Sequence, residues 1–366
     1  MAFIHTNSAR RHGRARAGVS RPAASLVAAA GAAILLSPAT ATPANARGNV
    51  HCAGGASSHT GTGPNFSSGI ARVDPIVNHN MPMSMHEHQF YGSNRLLNLP
   101  NPGSATYADL AGKGTTSCNI PGDTAAYWVP TLRNKRTLEL VPLLRAEAYY
   151  QATDNQTTDP TMRTRPFPPD LRMVAGNPSA RGKADANIDI VAFSCGANST
   201  KGAAAGFKYK TPFDADCSTA TSTRPGGVAL TATVQFPSCW DGKMNDHNIT
   251  GNTADFMGDG SVNNHLAYPI GRNCPAGYPI RLPRMRVTTQ WDYRGDGRDV
   301  TFSNDMMLSP RADGGVDTGA NFHADMWNTW DQPTLRRMVW TCINTTKSDS
   351  QLHTPTLRKI CGIPIN

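Results

Sequence analysis

Eight cysteines, all downstream of a segment that reads as an export signal, constrain this chain more than any other feature. They are Cys52, Cys118, Cys195, Cys217, Cys239, Cys274, Cys342 and Cys361, and no two form a C-x-x-C pair. An even number in an oxidising compartment reads as up to four structural disulfides, with the pairing left open. The same spacing argues against a thiolate zinc site or a dithiol redox motif. The inference depends on the first 46 residues. Arg10, Arg11, Arg14, Arg16 and Arg21 make a basic stretch without an acid; an apolar run from Ala23 to Leu36 follows, then Ser37-Pro38. Of two small-residue cleavage sites, Ala44-Asn45-Ala46 is favoured over Ala39-Thr40-Ala41, placing the cut after Ala46. The apolar run falls short of the ~20 residues a spanning helix needs. Arg10-Arg11 lacks the hydrophobic residues expected just after a twin-arginine pair, so ordinary secretion to the extracellular space is expected.

Removing the five signal arginines from the 35 basic residues leaves 30 against 26 acids, a net charge of +4 instead of +9. That mild excess permits contact with an acidic polymer such as a wall polysaccharide and makes no case for nucleic acid. No later stretch reaches ~18 consecutive apolar residues, so no membrane span is expected. With 33 Gly, 27 Pro and only three glutamates (Glu87, Glu139, Glu147), the composition argues against a helical bundle. Residues 47–71, rich in Gly, Ser and Thr, read as a flexible arm, and 72–366 as a single domain.

Period-2 alternation predicts strands over Val228–Phe236 and Arg284–Trp291, with further candidates at Asn187–Ser194 and Thr137–Val141. One helix is expected near the C-terminus: Asp331 as N-cap, Pro333 in the first turn, then Leu335, Met338, Val339, Cys342 and Ile343 at helical spacing. The fold class expected is mainly β, a sandwich or jelly-roll-like single domain with a short C-terminal helix, stapled by disulfides.

Candidate chemistry lies in short clusters. In Met85-His86-Glu87-His88-Gln89, an extended backbone projects His86 and His88 to one face, where they can chelate one ion, and turns Glu87 away. His323-Ala324-Asp325 offers the same i, i+2 geometry, and His265 lies in Asn264-His265-Leu266. If the fold joins these segments, His86, His88, His265 and His323 can hold one divalent metal ion, with Asp325 beside them. Packing alone also accounts for such histidines. The stretch Phe236-Pro237-Ser238-Cys239-Trp240-Asp241-Gly242-Lys243 puts an indole, a carboxylate and an ammonium on one loop, a combination that suits a sugar surface; a core Trp240 and a plain Asp241-Gly242 turn explain it equally. Trp327-Asn328-Thr329-Trp330-Asp331 adds two indoles and an amide, which helix entry and core packing largely explain.

Other signals fail. Asn252 to Gly260 lacks the spacing and closing glutamate of a calcium loop, and no G-x-S-x-G, Walker or G-x-G-x-x-G motif occurs. A copper oxygenase built on an N-terminal His51 needs cleavage after Val50, a poor site with Gly48 at −3.

Motifs in order then point to a family. They are Arg72-Val73-Asp74-Pro75-Ile76-Val77, His86-x-His88, Tyr127-Trp128-x-Pro130, Phe167-Pro168-Pro169-x-Leu171-Arg172-Met173-Val174-Ala175-Gly176 and Phe193-Ser194-Cys195. They continue with Phe236 through Lys243, His265-x-Ala267-Tyr268-Pro269, Cys274-Pro275, and His323-x-Asp325 through Asn328, Trp330 and Asp331. Over roughly 72–342 the chain resembles the domain-of-unknown-function family numbered nineteen ninety-six, found in secreted fungal and actinobacterial proteins. The resemblance carries no assigned activity; relatives with wall-associated or carbohydrate-binding modules imply a polysaccharide setting only by association. Glu87 stands where relatives often have a small residue or Val, and Met244 to Asn263 is longer than usual.

Two functional classes follow. One is a secreted carbohydrate-active enzyme, a hydrolase or lyase of a cell-wall or biomass polysaccharide. Its catalytic candidates are Asp241, His265, His323 and Asp325, with Trp240, Lys243, Asn328 and Trp330 binding substrate. In a metal-assisted form the four histidines hold the ion; in a metal-free form Asp241 and Asp325 are the acid/base pair, or a histidine removes a proton beside a uronate carboxylate. The other class is a non-catalytic polysaccharide-binding protein with Trp240, Trp327 and Trp330 lining a groove. The polar motifs exceed what packing needs, which favours the enzyme.

Overall fold

Alternating side chains in the Leu230–Gln235 strand decide where the main core lies. Leu230, Ala232 and Val234 are buried on one side, and Met285, Val287 and Trp291 of the neighbouring Arg284–Trp291 strand point the same way. These strands belong to a five-stranded antiparallel sheet in the order Arg47–Cys52, Leu143–Gln151, Arg284–Trp291, Leu230–Gln235, Val191–Cys195. A second five-stranded antiparallel sheet runs Ile70–Ala71, His88–Gly92, Ala126–Pro130, His323–Trp327, Arg172–Gly176. Tyr127, Val129, Met173, Ala175, Ala324 and Met326 of this sheet share the core of the first, so the two form a β sandwich. The computed structural model describes residues 47–52, 69–152, 163–178, 180–195, 199–201, 209–218, 221–222, 229–243, 265–271, 273–305, 319–345 and 354–362. Residues 1–46, read from the sequence as an export signal, lie outside them.

The second sheet is buried on both faces. Its outer side carries Phe90, Ala126, Trp128, Val174 and Trp327, which pack beneath Ile76, Leu96 and Leu110 from the loops and short helices that cover it. This second core positions the candidate site, because polar groups on that face are shut away from solvent.

Three strand expectations are met: Leu230–Gln235 within Val228–Phe236 (Val228 itself lies outside the described residues), Arg284–Trp291, and the latter half of Asn187–Ser194. Thr137–Val141 is a loop instead. Leu138 takes the left-handed conformation (φ 59°) and Asn134 N–H donates to Glu139 O at 2.9 Å, which reverses the chain. Arg47–Cys52, at the start of the stretch read as an arm, pairs along Leu143–Gln151 as an edge strand. The C-terminal helix is present over Gln332–Met338, its first turn capped by Asp331 accepting from Thr334 N–H at 3.0 Å, and it continues as a wider turn over Val339–Ile343. Disulfides join Cys195 to Cys217, Cys239 to Cys274 and Cys342 to Cys361; Cys118 is also disulfide-bonded, and no cysteine is free among the described residues. Among those residues no helix is long and apolar enough to cross a membrane.

A polar network sits inside the main core. Tyr127 OH donates to both carboxylate oxygens of Asp123 (3.2 and 3.0 Å) and meets Tyr150 OH, which accepts from Trp330 Nε1 at 3.2 Å. Burial lifts the Asp123 carboxyl well above its usual value, against the hydrogen bonds that favour its charge. A carboxyl raised in the folded state gives stability at low pH that is lost as pH climbs above the unfolded value near 4. Asp123→Asn removes that titration while keeping an oxygen acceptor. In urea unfolding measured from pH 4 to 8, wild-type stability is expected to fall relative to the variant by up to about 1.4 kcal/mol per pH unit.

Candidate metal centre

His88 opens the His88–Gly92 strand, and His86 stands two residues earlier; both face the outer side of the second sheet. His88 pairs in register with Pro130, and the register of Asp325 with Trp128 brings His323 toward the same row from the next strand. The three imidazoles meet: ring centres are 4.3 Å apart for His86 and His88, 5.2 Å for His86 and His323, and 6.0 Å for His88 and His323. One ligand nitrogen from each lies within 4.8 Å of the others, so these residues form a potential metal site.

Hydrogen bonds select which nitrogen faces inward. His88 Nδ1 lies 2.9 Å from Val73 O and His323 Nδ1 lies 3.1 Å from Asn321 O. A carbonyl only accepts, so each Nδ1 carries the proton and each Nε2 keeps its lone pair. This arrangement orients metal-binding histidines generally. The Nε2 atoms of His86 and His88 are buried without a hydrogen-bond partner. Burial lowers the pKa of His86 to about 3, aided by His323 and Arg72; burial takes His88 well below its usual value and His323 to about 4. All three are therefore neutral near pH 7, the form that binds metal.

Two buried carboxyls adjoin them. Asp325 Oδ2 is 3.7 Å from His323 Nε2, and neither Asp325 oxygen has a hydrogen-bond partner. Burial, reinforced by Asp74, raises the Asp325 carboxyl well above the carboxylate range. Asp74 accepts from Ile76 N–H (3.0 Å) and Val77 N–H (2.9 Å), and burial still lifts it to about 6. A buried carboxyl without hydrogen bonds, as at Asp325, is costly unless something compensates it, and a bound cation would do so. Glu87 does turn away, accepting from Arg133 Nη2 at 2.6 Å and Thr131 Oγ1 at 3.0 Å, which pins the chain between the two histidines.

Gly176 stands across from His323 at φ +105°, and a Cβ there would come within 2.4 Å of Phe322 O and 2.8 Å of His323 Cα. Gly176→Ala is expected to cost about 1–3 kcal/mol in chemical denaturation and to weaken metal uptake by moving His323.

The other candidates lie elsewhere. His265 stands outside the three-histidine group: its Nδ1 meets Asp241 Oδ2 at 2.8 Å, at the start of a separate three-stranded sheet of Leu266–Ala267, Cys239–Trp240 and Ile280–Arg281. Asp241 N–H donates to His265 O, and Lys243 N–H donates to Asp241 Oδ1, so Asp241 ties together both ends of the segment 244–264, which lies outside the described residues. Asp241, just past the Cys239–Trp240 strand, and Asp325, on the second sheet, thus lie at different sheets. Trp240 is half-buried against the main core with its N–H on Lys243 O, while Lys243 is exposed. Asn328 and Trp330 are fully buried, which corrects their reading as substrate contacts. Asn328 donates to Phe167 O and Pro168 O at 3.2 and 2.6 Å, and Trp330 belongs to the core network. Asp74 and Trp128, whose buried Nε1 also lacks a partner, were not foreseen as site residues. An acid inside the apolar run Val73-Asp74-Pro75-Ile76-Val77 was the available signal.

A double-faced β sandwich whose second sheet carries His88, His323 and Asp325, with His86 and Asp74 on adjoining loops, is the class that fold and site define. The profile of the domain of unknown function (DUF1996) matches residues 74–330, and the chain belongs to that family. No curated protein and no solved structure compared with the chain matches it.

Proposed function

We propose that the protein is a secreted, metal-dependent carbohydrate-active enzyme, a hydrolase or lyase of an extracellular polysaccharide, whose divalent ion is held by His86, His88 and His323. One observation carries the reading: three neutral imidazoles converge, and the Nε2 atoms of His86 and His88 are buried with nothing to bond. Three protein ligands leave room for water or a substrate oxygen, and a bound ion supplies Lewis-acid polarisation or an activated water. Asp325, buried beside His323, supplies a carboxyl that can exchange a proton at the centre. The polysaccharide class rests on the export signal, the mild positive charge and the partly exposed Trp240 beside Lys243. A binder that lines its groove with indoles is less well supported, because Trp327 and Trp330 are fully buried.

The test is incubation of metal-loaded protein with neutral and uronate-containing polysaccharides. New reducing ends report hydrolysis, and ultraviolet absorbance of an unsaturated uronide reports elimination. Product is expected with wild type and lost after chelation and in His88→Ala. Polymer retention without new ends, equal in His88→Ala, would establish the non-catalytic binder.

A further inference from the structure

Three of the seven large apolar side chains exposed among the described residues fall within five positions: Met81, Met83 and Met85, at 53%, 60% and 59% exposure. Of the two intervening residues Pro82 is exposed and Ser84 is buried, so the segment presents Met81, Pro82, Met83 and Met85 to solvent. This exposure is held in place. Asn80 N–H donates to Gly103 O at 2.8 Å, Met81 N–H to Asn78 O at 3.0 Å and Ser84 N–H to Arg72 O at 2.8 Å, while Arg72 Nη2 donates to Met85 O at 2.7 Å. Gly103 permits the approach, since a Cβ there would lie 2.4 Å from Met81 O. The fold thus anchors the backbone of this segment and leaves three flexible, polarizable sulfur side chains in water, where they add nothing to the core.

Packing gives no reason for this arrangement, but coordination chemistry does. Thioether sulfur is a soft, uncharged ligand that selects monovalent copper over the harder divalent ions, and it needs no deprotonation to bind. The next residue is His86, the one member of the three-histidine group that is only half-buried. We infer that Met81, Met83 and Met85 form a surface thioether site for Cu(I), adjoining the three-histidine centre along the chain. The ion binds and leaves as Cu(I), so no electron moves. The thioether site stands without the metal reading of the histidines, which supplies only its setting.

The test is anaerobic titration of the intact secreted protein with Cu(I) against a coloured Cu(I) chelator, alongside zinc uptake by the same samples. Wild type is compared with Met81→Leu/Met83→Leu/Met85→Leu and with His86→Ala/His88→Ala. Leucine keeps size and apolarity at exposed positions and removes only sulfur, so folding is preserved. The leucine variant is expected to take up one Cu(I) equivalent fewer than wild type and the same zinc. The histidine variant is expected to retain the Cu(I) equivalent that leucine abolishes and to lose zinc. A leucine variant whose Cu(I) titration superimposes on wild type overturns the thioether site. Unchanged zinc uptake in the histidine variant overturns the three-histidine centre and leaves the thioether result standing on its own.

Discussion

His88→Ala is expected to weaken divalent-metal binding by roughly a hundredfold or more, since even outer-sphere changes at metal sites cost 10–100-fold. His88 is the best-held of the three ligands. It is fully buried, its Nδ1 proton is tied to Val73 O at 2.9 Å, and its Nε2 points toward His86 and His323 with no other partner. Removing it leaves one imidazole on a loop and one on a strand, which hold an ion far less well than a closed set of three. The substitution removes a buried Nε2 that lacks a bond along with the single hydrogen bond to Val73 O, so the fold is expected to survive it with reduced stability. Isothermal titration with zinc checks the affinity, and near-ultraviolet circular dichroism checks the fold.

The second large effect is on stability. Trp330→Ala is expected to cost about 3–5 kcal/mol, the range for deleting a large aromatic from a packed core. Its indole is fully buried, lies edge-on to Tyr150 with ring centres 6.0 Å apart, and donates to Tyr150 OH. Trp330→Phe keeps most of the packing and loses the N–H, so a smaller loss is expected. Urea unfolding separates the two. If Trp330 instead served a sugar, the alanine variant would unfold like wild type and lose only ligand affinity.

Which parts could be read from the sequence depended on how many faces an element buries. Val228–Phe236 and Arg284–Trp291 alternate because their sheet packs one side into the main core, and alternation is what a sequence displays. The strands Ala126–Pro130, Arg172–Gly176 and His323–Trp327 are covered on both sides, so their side chains run nearly continuously buried and give no period. The candidate site lies on that sheet. His86, His88 and His323 were nevertheless recognisable, because i, i+2 spacing is local and survives without knowledge of the fold. His265 matches them only in residue type, and its partner is Asp241, 24 residues earlier. Asn328 and Trp330 look like sugar contacts in a list of residues. Only the tertiary structure reveals that Asn328 bonds two carbonyls and Trp330 a core tyrosine.

In the proposed function His86, His88 and His323 together hold one metal ion at the second sheet. Elemental analysis of the mature protein tests it most directly, on material purified without a histidine tag, loaded with zinc, copper or manganese and then desalted. The account predicts close to one equivalent of a divalent metal per chain in wild type and essentially none in His86→Ala/His88→Ala/His323→Ala. Wild-type protein that retains none of these metals, or a triple variant that retains as much as wild type, would contradict it.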